Sequence, residues 1–140
     1  MTKLPEDLPE CMVFLLGKAY QKAHNSFKNR LRPYGLTNMQ HLVLEALWYR
    51  DAMTATELSR LLRLDKATLS GVLERMAETG WIVKTPDPED RRVQRLQKKK
   101  KANELKDALI RERQASNHEV LAGFTSEERI LLKRLLRDII

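Results

Sequence analysis

Between positions 65 and 79 the chain reads DKATLSGVLERMAET, and its polar residues have the types and spacing to read a nucleic acid. Leu69, Val72, Leu73 and Met76 recur at i, i+3, i+4 and i+7, one apolar stripe of a 3.6-residue helix. The other face carries Lys66, Thr68, Ser70, Gly71 and Arg75, slim hydroxyl side chains with two cations that could enter a groove without clashing. Thr68 and Ser70 would stand nearest the base edges, with Arg75 reaching a phosphate or a guanine. Asp65 suits an N-cap, and Gly80 sits where a C′ glycine would end the helix. A small, basic face is also what many solvated helices expose, so the reading depends on the neighbouring elements.

Other chemistry is sparse. The chain offers no nucleophile with an adjacent base, no glycine-rich phosphate loop and no paired acids in an expected pocket, which argues against an enzyme. His24, His41 and His118 share no i, i+4 spacing and lack nearby carboxylates, so neither a metal nor another cofactor is expected. The single cysteine, Cys11, excludes an intramolecular disulfide and a CxxC knuckle. A formal charge of +7 and a pI near 9.7 suit a polyanionic partner. No run approaches the ~20 apolar residues of a membrane span. The opening MTKLPEDLPE has neither a basic n-region nor a long apolar stretch, so a soluble cytoplasmic protein is expected.

The elements around the central helix follow from periodicity and caps. Residues 1–10, with Pro5 and Pro9, read as an irregular lead-in. From 8 to 32 apolar positions recur at helical spacing over roughly six turns, a helix long enough to pack partly against another subunit. Pro33, Tyr34 and Gly35 break it. A second helix is expected over 37–50, with Thr37 and Gln40 at capping-box spacing and Leu42, Val43, Ala46 and Leu47 inward. A second box, Thr54 with Glu57, opens a short helix burying Leu58, Leu61 and Leu62. Two short helices across so tight a turn make a helix-turn-helix. The pattern then changes period: 81–84 fits a strand, 85–89 with Pro86 and Pro88 a loop, and 93–97 a returning strand, together a hairpin wing. A single long helix is expected over 100–121, and Thr125 with Glu128 starts a terminal amphipathic helix. Residues 91–113 hold ten Lys and Arg against three Asp and Glu, including the run Lys98, Lys99, Lys100, Lys101, which alone would give salt-sensitive binding to any duplex.

The order of elements resembles the MarR family of bacterial transcription regulators. The residues that carry the resemblance are GLTNMQHLVLEAL at 35–47, TATELSRLLRLDKATLSGVLERMAETGWI at 54–82 and, most specifically, DPEDRR at 87–92. The family's wing signature Asp-x-Arg is matched by Asp90 and Arg92, the carboxylate holding the guanidinium for the narrow, strongly negative minor groove. The match fails just downstream, where the Leu-Thr that usually closes the wing would fall on Lys98 and Lys99, leaving the length and packing of the second wing strand open.

The resemblance implies a mainly α protein with a small β-hairpin wing: a winged helix-turn-helix at 35–99, with N-terminal (1–34) and C-terminal (100–140) dimerisation helices. It implies a homodimer on double-stranded DNA, a pseudo-palindromic operator, and repression relieved by a small effector. The DNA set is Thr54, Thr56, Lys66, Thr68, Ser70, Arg75, Asp90, Arg91 and Arg92, with Thr54 and Thr56 at a helix N-terminus that suits a phosphate. Relatives bind phenolic or other aromatic acids between the dimer helices and the helix-turn-helix. Here Tyr20, His24, Phe27, His41 and Trp48 are the candidate lining, with Arg30 or Arg32 for an anion. One branch senses organic peroxides through a first-helix cysteine. Cys11 falls about two residues early for that role, and the assisting tyrosines are not at matching places, so redox sensing is a rival reading, as is sequence-blind nucleic-acid binding.

Overall fold

The computed structural model describes residues 5–140, so the first four residues of the expected lead-in lie outside the described residues. The helices are α1 (Met12–Leu31), α2 (Asn38–Tyr49), α3 (Ala55–Leu62), α4 (Lys66–Glu78), α5 (Lys100–Glu104), α6 (Lys106–Val120) and α7 (Ser126–Ile139). The strands are β1 (Met53–Thr54), β2 (Ile82–Pro86) and β3 (Gln94–Lys98). The chain divides into two compact units: Met1–Arg30 with Arg111–Ile140, here the terminal-helix unit, and Leu31–Ile110, here the head.

All three capping boxes form. Thr37 with Gln40, Thr54 with Glu57 and Thr125 with Glu128 each exchange side-chain and backbone hydrogen bonds of 3.0–3.2 Å, satisfying two orphan amides per helix. Gly80, at φ 84°, ends α4 in a left-handed turn, and the Trp81 N–H reaches back to the Met76 carbonyl at 2.9 Å.

Several boundaries differ from the sequence reading. The expected helix over 8–32 is shorter. Pro9 lies in a 3-10 turn, Leu8–Glu10; Cys11 is extended (ψ 116°), and α1 starts at Met12. It stops at Leu31 because Pro33 disfavours helical backbone at Arg32, which enters a second 3-10 turn, Arg32–Tyr34. On α2 the inward stripe is Gln40, Val43, Leu44 and Leu47, so Leu44 is buried and Leu42 is 44% exposed. On α3, Leu58 is buried while Leu61 is 49% exposed. The helix expected over 100–121 is interrupted at Leu105, whose ψ near 0° departs from helical geometry for one residue.

The wing differs too. β2 begins at Ile82 and runs on through Thr85 and Pro86, which pair with Arg95 and Gln94 at the open end of the ladder. A proline is tolerated at such an end, where no ladder amide is required of it. A third strand, β1, was not expected: Met53 pairs with Leu96 and Thr54 with Arg95, giving the order β1-β3-β2.

The two units differ in what they bury. Every fully buried apolar side chain among the described residues lies between positions 31 and 109, with Leu31, Val43, Leu44, Leu47, Leu58 and Met76 all at 0% exposure. The terminal-helix unit is held internally by polar contacts. Ser26 meets Ser116 and Glu119 at 3.1 Å, and Arg30 meets Glu112 at 3.4 Å and Glu119 at 3.1 Å. Many of its large apolar residues, among them Leu15, Tyr20, Ile130, Leu131 and Leu135, stay exposed.

Candidate nucleic-acid interface

The helix-turn-helix is α3, a three-residue turn and α4. The turn works because Arg63 takes left-handed backbone (φ 53°), which lets the Leu64 N–H return to the Ser59 carbonyl at 3.1 Å, while the Ser59 hydroxyl donates to the Leu64 carbonyl at 2.8 Å. Asp65 then caps α4, accepting from the Thr68 N–H at 2.8 Å and the Thr68 hydroxyl at 2.7 Å. These two bonds, the amide's first, hold the Asp65 carboxyl below the usual carboxylate range.

Helix α4 sends Leu69, Leu73 and Met76 into the head's core, burial worth about 1.5–3 kcal/mol per side chain. That packing fixes the rotation of the helix and leaves Lys66, Thr68, Ser70, Gly71 and Arg75 all exposed. Lys66 and Ser70 open onto a groove of about 240 Å³, floored by Leu69, Leu73 and Leu96 and bordered by Ala55, Lys84 and Gln94. An ion pair between Glu74 and Lys84 ties α4 to β2 along this groove.

At the wing tip Asp90 holds Arg92 through Oδ1 to Nε at 3.1 Å and Oδ2 to Nη2 at 3.3 Å, with the Arg92 N–H on the same carboxylate. The guanidinium lowers the Asp90 pKa, and the Arg92 side chain is 91% exposed, so a cation is aimed at solvent by a carboxylate that stays ionised. Arg91 is exposed beside it.

The sequence reading did not single out the residues that shape this tip. Asp87, only 7% exposed, accepts from the Glu89 and Asp90 amides and from the Arg95 guanidinium, and its own N–H closes the loop on the Val93 carbonyl. Those bonds hold its pKa low. Arg95 also donates to the Ala52 carbonyl at 2.9 Å, fastening the hairpin to the segment before β1. The available signal was Asp-Pro-x-Asp, a pattern in which an aspartate bonds amides two and three residues on.

The lysine run divides. Lys98 turns inward with its side chain 9% exposed, its ammonium 2.7 Å from the Leu47 carbonyl in the last turn of α2 and 3.3 Å from Asp51. Lys101 bonds the Thr79 carbonyl at the end of α4 at 2.9 Å and lies 4.1 Å from the Trp81 ring centre. Lys99 and Lys100 face solvent, Lys100 beside Glu104. Lys98 is thus a full member of β3 at the position where the family resemblance failed, bonding through its amide to Asp51.

The remaining candidates fall as follows. Thr54 is half-buried, and its hydroxyl and amide are engaged with Glu57, so a carboxylate already occupies that helix start; Thr56 is half-buried one residue inside it. In the terminal-helix unit Tyr20 is 66% exposed and leans on the His24 ring at 5.4 Å, Phe27 is half-buried, and Arg30 is bound to the two glutamates named above. In the head, Arg32 is exposed. His41 is 1% exposed, 3.4 Å from Glu45 and edge-on to Trp48, whose Nε1 donates to the Ala102 carbonyl. Cys11 is exposed. Among the described residues no cluster of three or more His, Cys, Asp or Glu is placed to hold a metal, and no helix is long and apolar enough to cross a membrane.

A head of α2, α3 and α4, completed by a three-stranded sheet whose β2–β3 hairpin projects beside the exposed face of α4, is a winged helix-turn-helix. The sequence model of the MarR family matches residues 34–93, and the proteins the chain resembles over most of its length include transcriptional regulators. It is 29% identical over 136 residues to the HTH-type transcriptional repressor NicR of Pseudomonas putida, covering 97% of this chain and 86% of that protein. Among solved structures it resembles a "probable transcriptional regulator" of Pseudomonas aeruginosa (28% identity, TM-score 0.88, 95% of this chain and 99% of that one). It also resembles Bordetella bronchiseptica BpsR, whose DNA binding is regulated by 6-hydroxynicotinic acid (25% identity, TM-score 0.88, 99% of this chain and 97% of that one).

Proposed function

We propose that the protein is a homodimeric repressor that lays one α4 in the major groove of each half of a pseudo-palindromic operator and is released by a small aromatic acid. The observation that carries this is the two-faced α4: an apolar stripe locked in the core, and an outward face of Lys66, Thr68, Ser70 and Arg75 with the paired Arg92 beside it. Phosphate and base contacts come from these residues and from Arg91 and Thr56, while Asp90 holds Arg92 in place and Thr54, engaged with Glu57, caps the helix that carries Thr56. Dimerisation is supported by the terminal-helix unit, which exposes Leu15, Ile130, Leu131 and Leu135 and has no buried apolar side chain among its described residues. A second copy supplies the missing partner, because an apolar surface of that size facing water is unfavourable by about 25 cal/mol per Å². Two heads on a two-fold axis match half-sites about one helical turn, ~34 Å, apart. Such a protein acts where the chromosome is, in the cytoplasm, and works by binding alone, with no catalytic step.

Repression is supported by the likeness to NicR, and an aromatic acid as effector by the likeness to BpsR. Tyr20, exposed and backed by His24, is the effector contact best supported within the terminal-helix unit. Release is a population shift: the effector lowers operator affinity only by the ratio of its affinities for the free and DNA-competent forms. Sequence-blind binding is less well supported, since two lysines of the basic run are engaged within the head.

Competition binding tests the reading. At physiological salt the dimer, identified by sedimentation, is expected to hold the DNA upstream of its own gene or its neighbours ~10³-fold or more over random duplex, and to release it with an aromatic acid such as 6-hydroxynicotinic acid. Ratios near unity for every fragment, or a monomer at binding concentrations, overturn it.

A further inference from the structure

The cap of α4 fixes the direction in which one of its hydroxyls can hydrogen-bond. Thr68 has a single hydroxyl proton and two lone pairs. The proton goes to Asp65 Oδ2 at 2.7 Å, while the Thr68 amide holds the other carboxylate oxygen at 2.8 Å. A hydroxyl donating to a carboxylate makes a strong, charge-assisted bond, and both groups are exposed at the first turn, where inserted helices meet bases. Ser70, also exposed, has no such bond among the described residues and can turn to donate or accept.

We propose that Thr68 reads the operator as an acceptor only, selecting adenine or cytosine on the strand it faces and rejecting guanine or thymine there. In the major groove the only donors are the adenine N6 and cytosine N4 amino groups; guanine offers O6 and N7, and thymine O4 and a methyl. Every base pair presents one amino group in the major groove, so the constraint concerns which strand bears it. Asp65 is then a positioning residue as well as a cap, and its ionised oxygens add repulsion toward a guanine O6 or thymine O4. The inference rests on α4 being the DNA-reading helix and adds the polarity of one contact to it.

The test is selection from a randomised duplex library with the full-length protein, followed by binding to single operators carrying base analogues. Thr68→Val keeps the shape and removes the acceptor, and the operator position whose preference it erases is the Thr68 contact. In the wild type that position is expected to be adenine or cytosine. Replacing it by purine or 2-pyrimidinone, which lack the amino group, should weaken wild-type binding roughly 3–10-fold and leave Thr68→Val within about twofold. Thr68→Ser, which keeps the acceptor, should retain the wild-type preference. Asp65→Asn preserves a good cap but puts an amide donor against the Thr68 oxygen, turning its proton outward, so the preference should move toward guanine or thymine. A contact position occupied by guanine or thymine in the wild type, or identical motifs for wild type and Thr68→Val, overturns the proposal while leaving DNA reading intact. Absence of any enriched motif with the wild type overturns both.

Discussion

Arg92 and Lys98 stand on the same hairpin and carry the same charge into opposite surroundings. Arg92 is held at arm's length by Asp90 with its side chain 91% exposed, whereas Lys98 is folded back onto the end of α2 with 9% exposure. Lys101, though exposed, likewise bonds a helix end, that of α4, against the Thr79 carbonyl and the Trp81 ring. Helix C-termini leave carbonyls unpaired and carry partial negative charge, so a cation placed there is consumed by the protein itself. A basic stretch is therefore not a nucleic-acid footprint until each cation's partner is known. In this head the outward cations on α4 and the wing can meet phosphate, and two of the four lysines in a row are structural clamps.

Three substitutions bear on that contrast. The largest effect is expected from Arg92→Ala, which should weaken operator binding about 10- to 100-fold and reduce the slope of log affinity against log salt by about 0.9, with the melting temperature unchanged. Anisotropy titrations at several salt concentrations measure both quantities, and an unaltered slope would remove Arg92 from the interface. Lys98→Ala should do the reverse: a loss of about 1–3 kcal/mol of stability in denaturant melts, because the Leu47 carbonyl and Asp51 lose their cation, with the salt slope preserved. A reduced slope without destabilisation would place Lys98 on DNA instead. Lys101→Gln is the mildest, about 0.5–1 kcal/mol from the lost cation over Trp81, again at constant slope. If its slope falls as far as that of Arg92→Ala, the division between cations held by the protein's own carbonyls and cations left for DNA fails.

The parts of the fold legible from sequence are those written over three or four residues. The boxes at Thr37, Thr54 and Thr125, the Asp65 cap and the Gly80 stop each depend on residues within one helical turn, and all are present. The buried stripe of α4 was legible for the same reason. On α2 the inward positions Val43, Ala46 and Leu47 were legible, and only Leu42 was misplaced, with Leu44 buried in its stead, since a leucine-rich run carries more than one apolar stripe and only its neighbours choose between them. β1 is two residues long and owes its existence to Leu96 and Arg95, so it left no periodicity to detect. Asp87 was visible as a turn residue, but its grip on Arg95, across the hairpin, was not.

By itself the sequence determined the order of elements, their caps and the small, polar outer face of α4, because those properties follow from local backbone chemistry and side-chain spacing. Tertiary structure decided which charges are spoken for. Lys98 finds Leu47 and Lys101 finds Thr79 at separations of 51 and 22 residues, and such partners are chosen by the packing of the head rather than by anything adjacent in the chain.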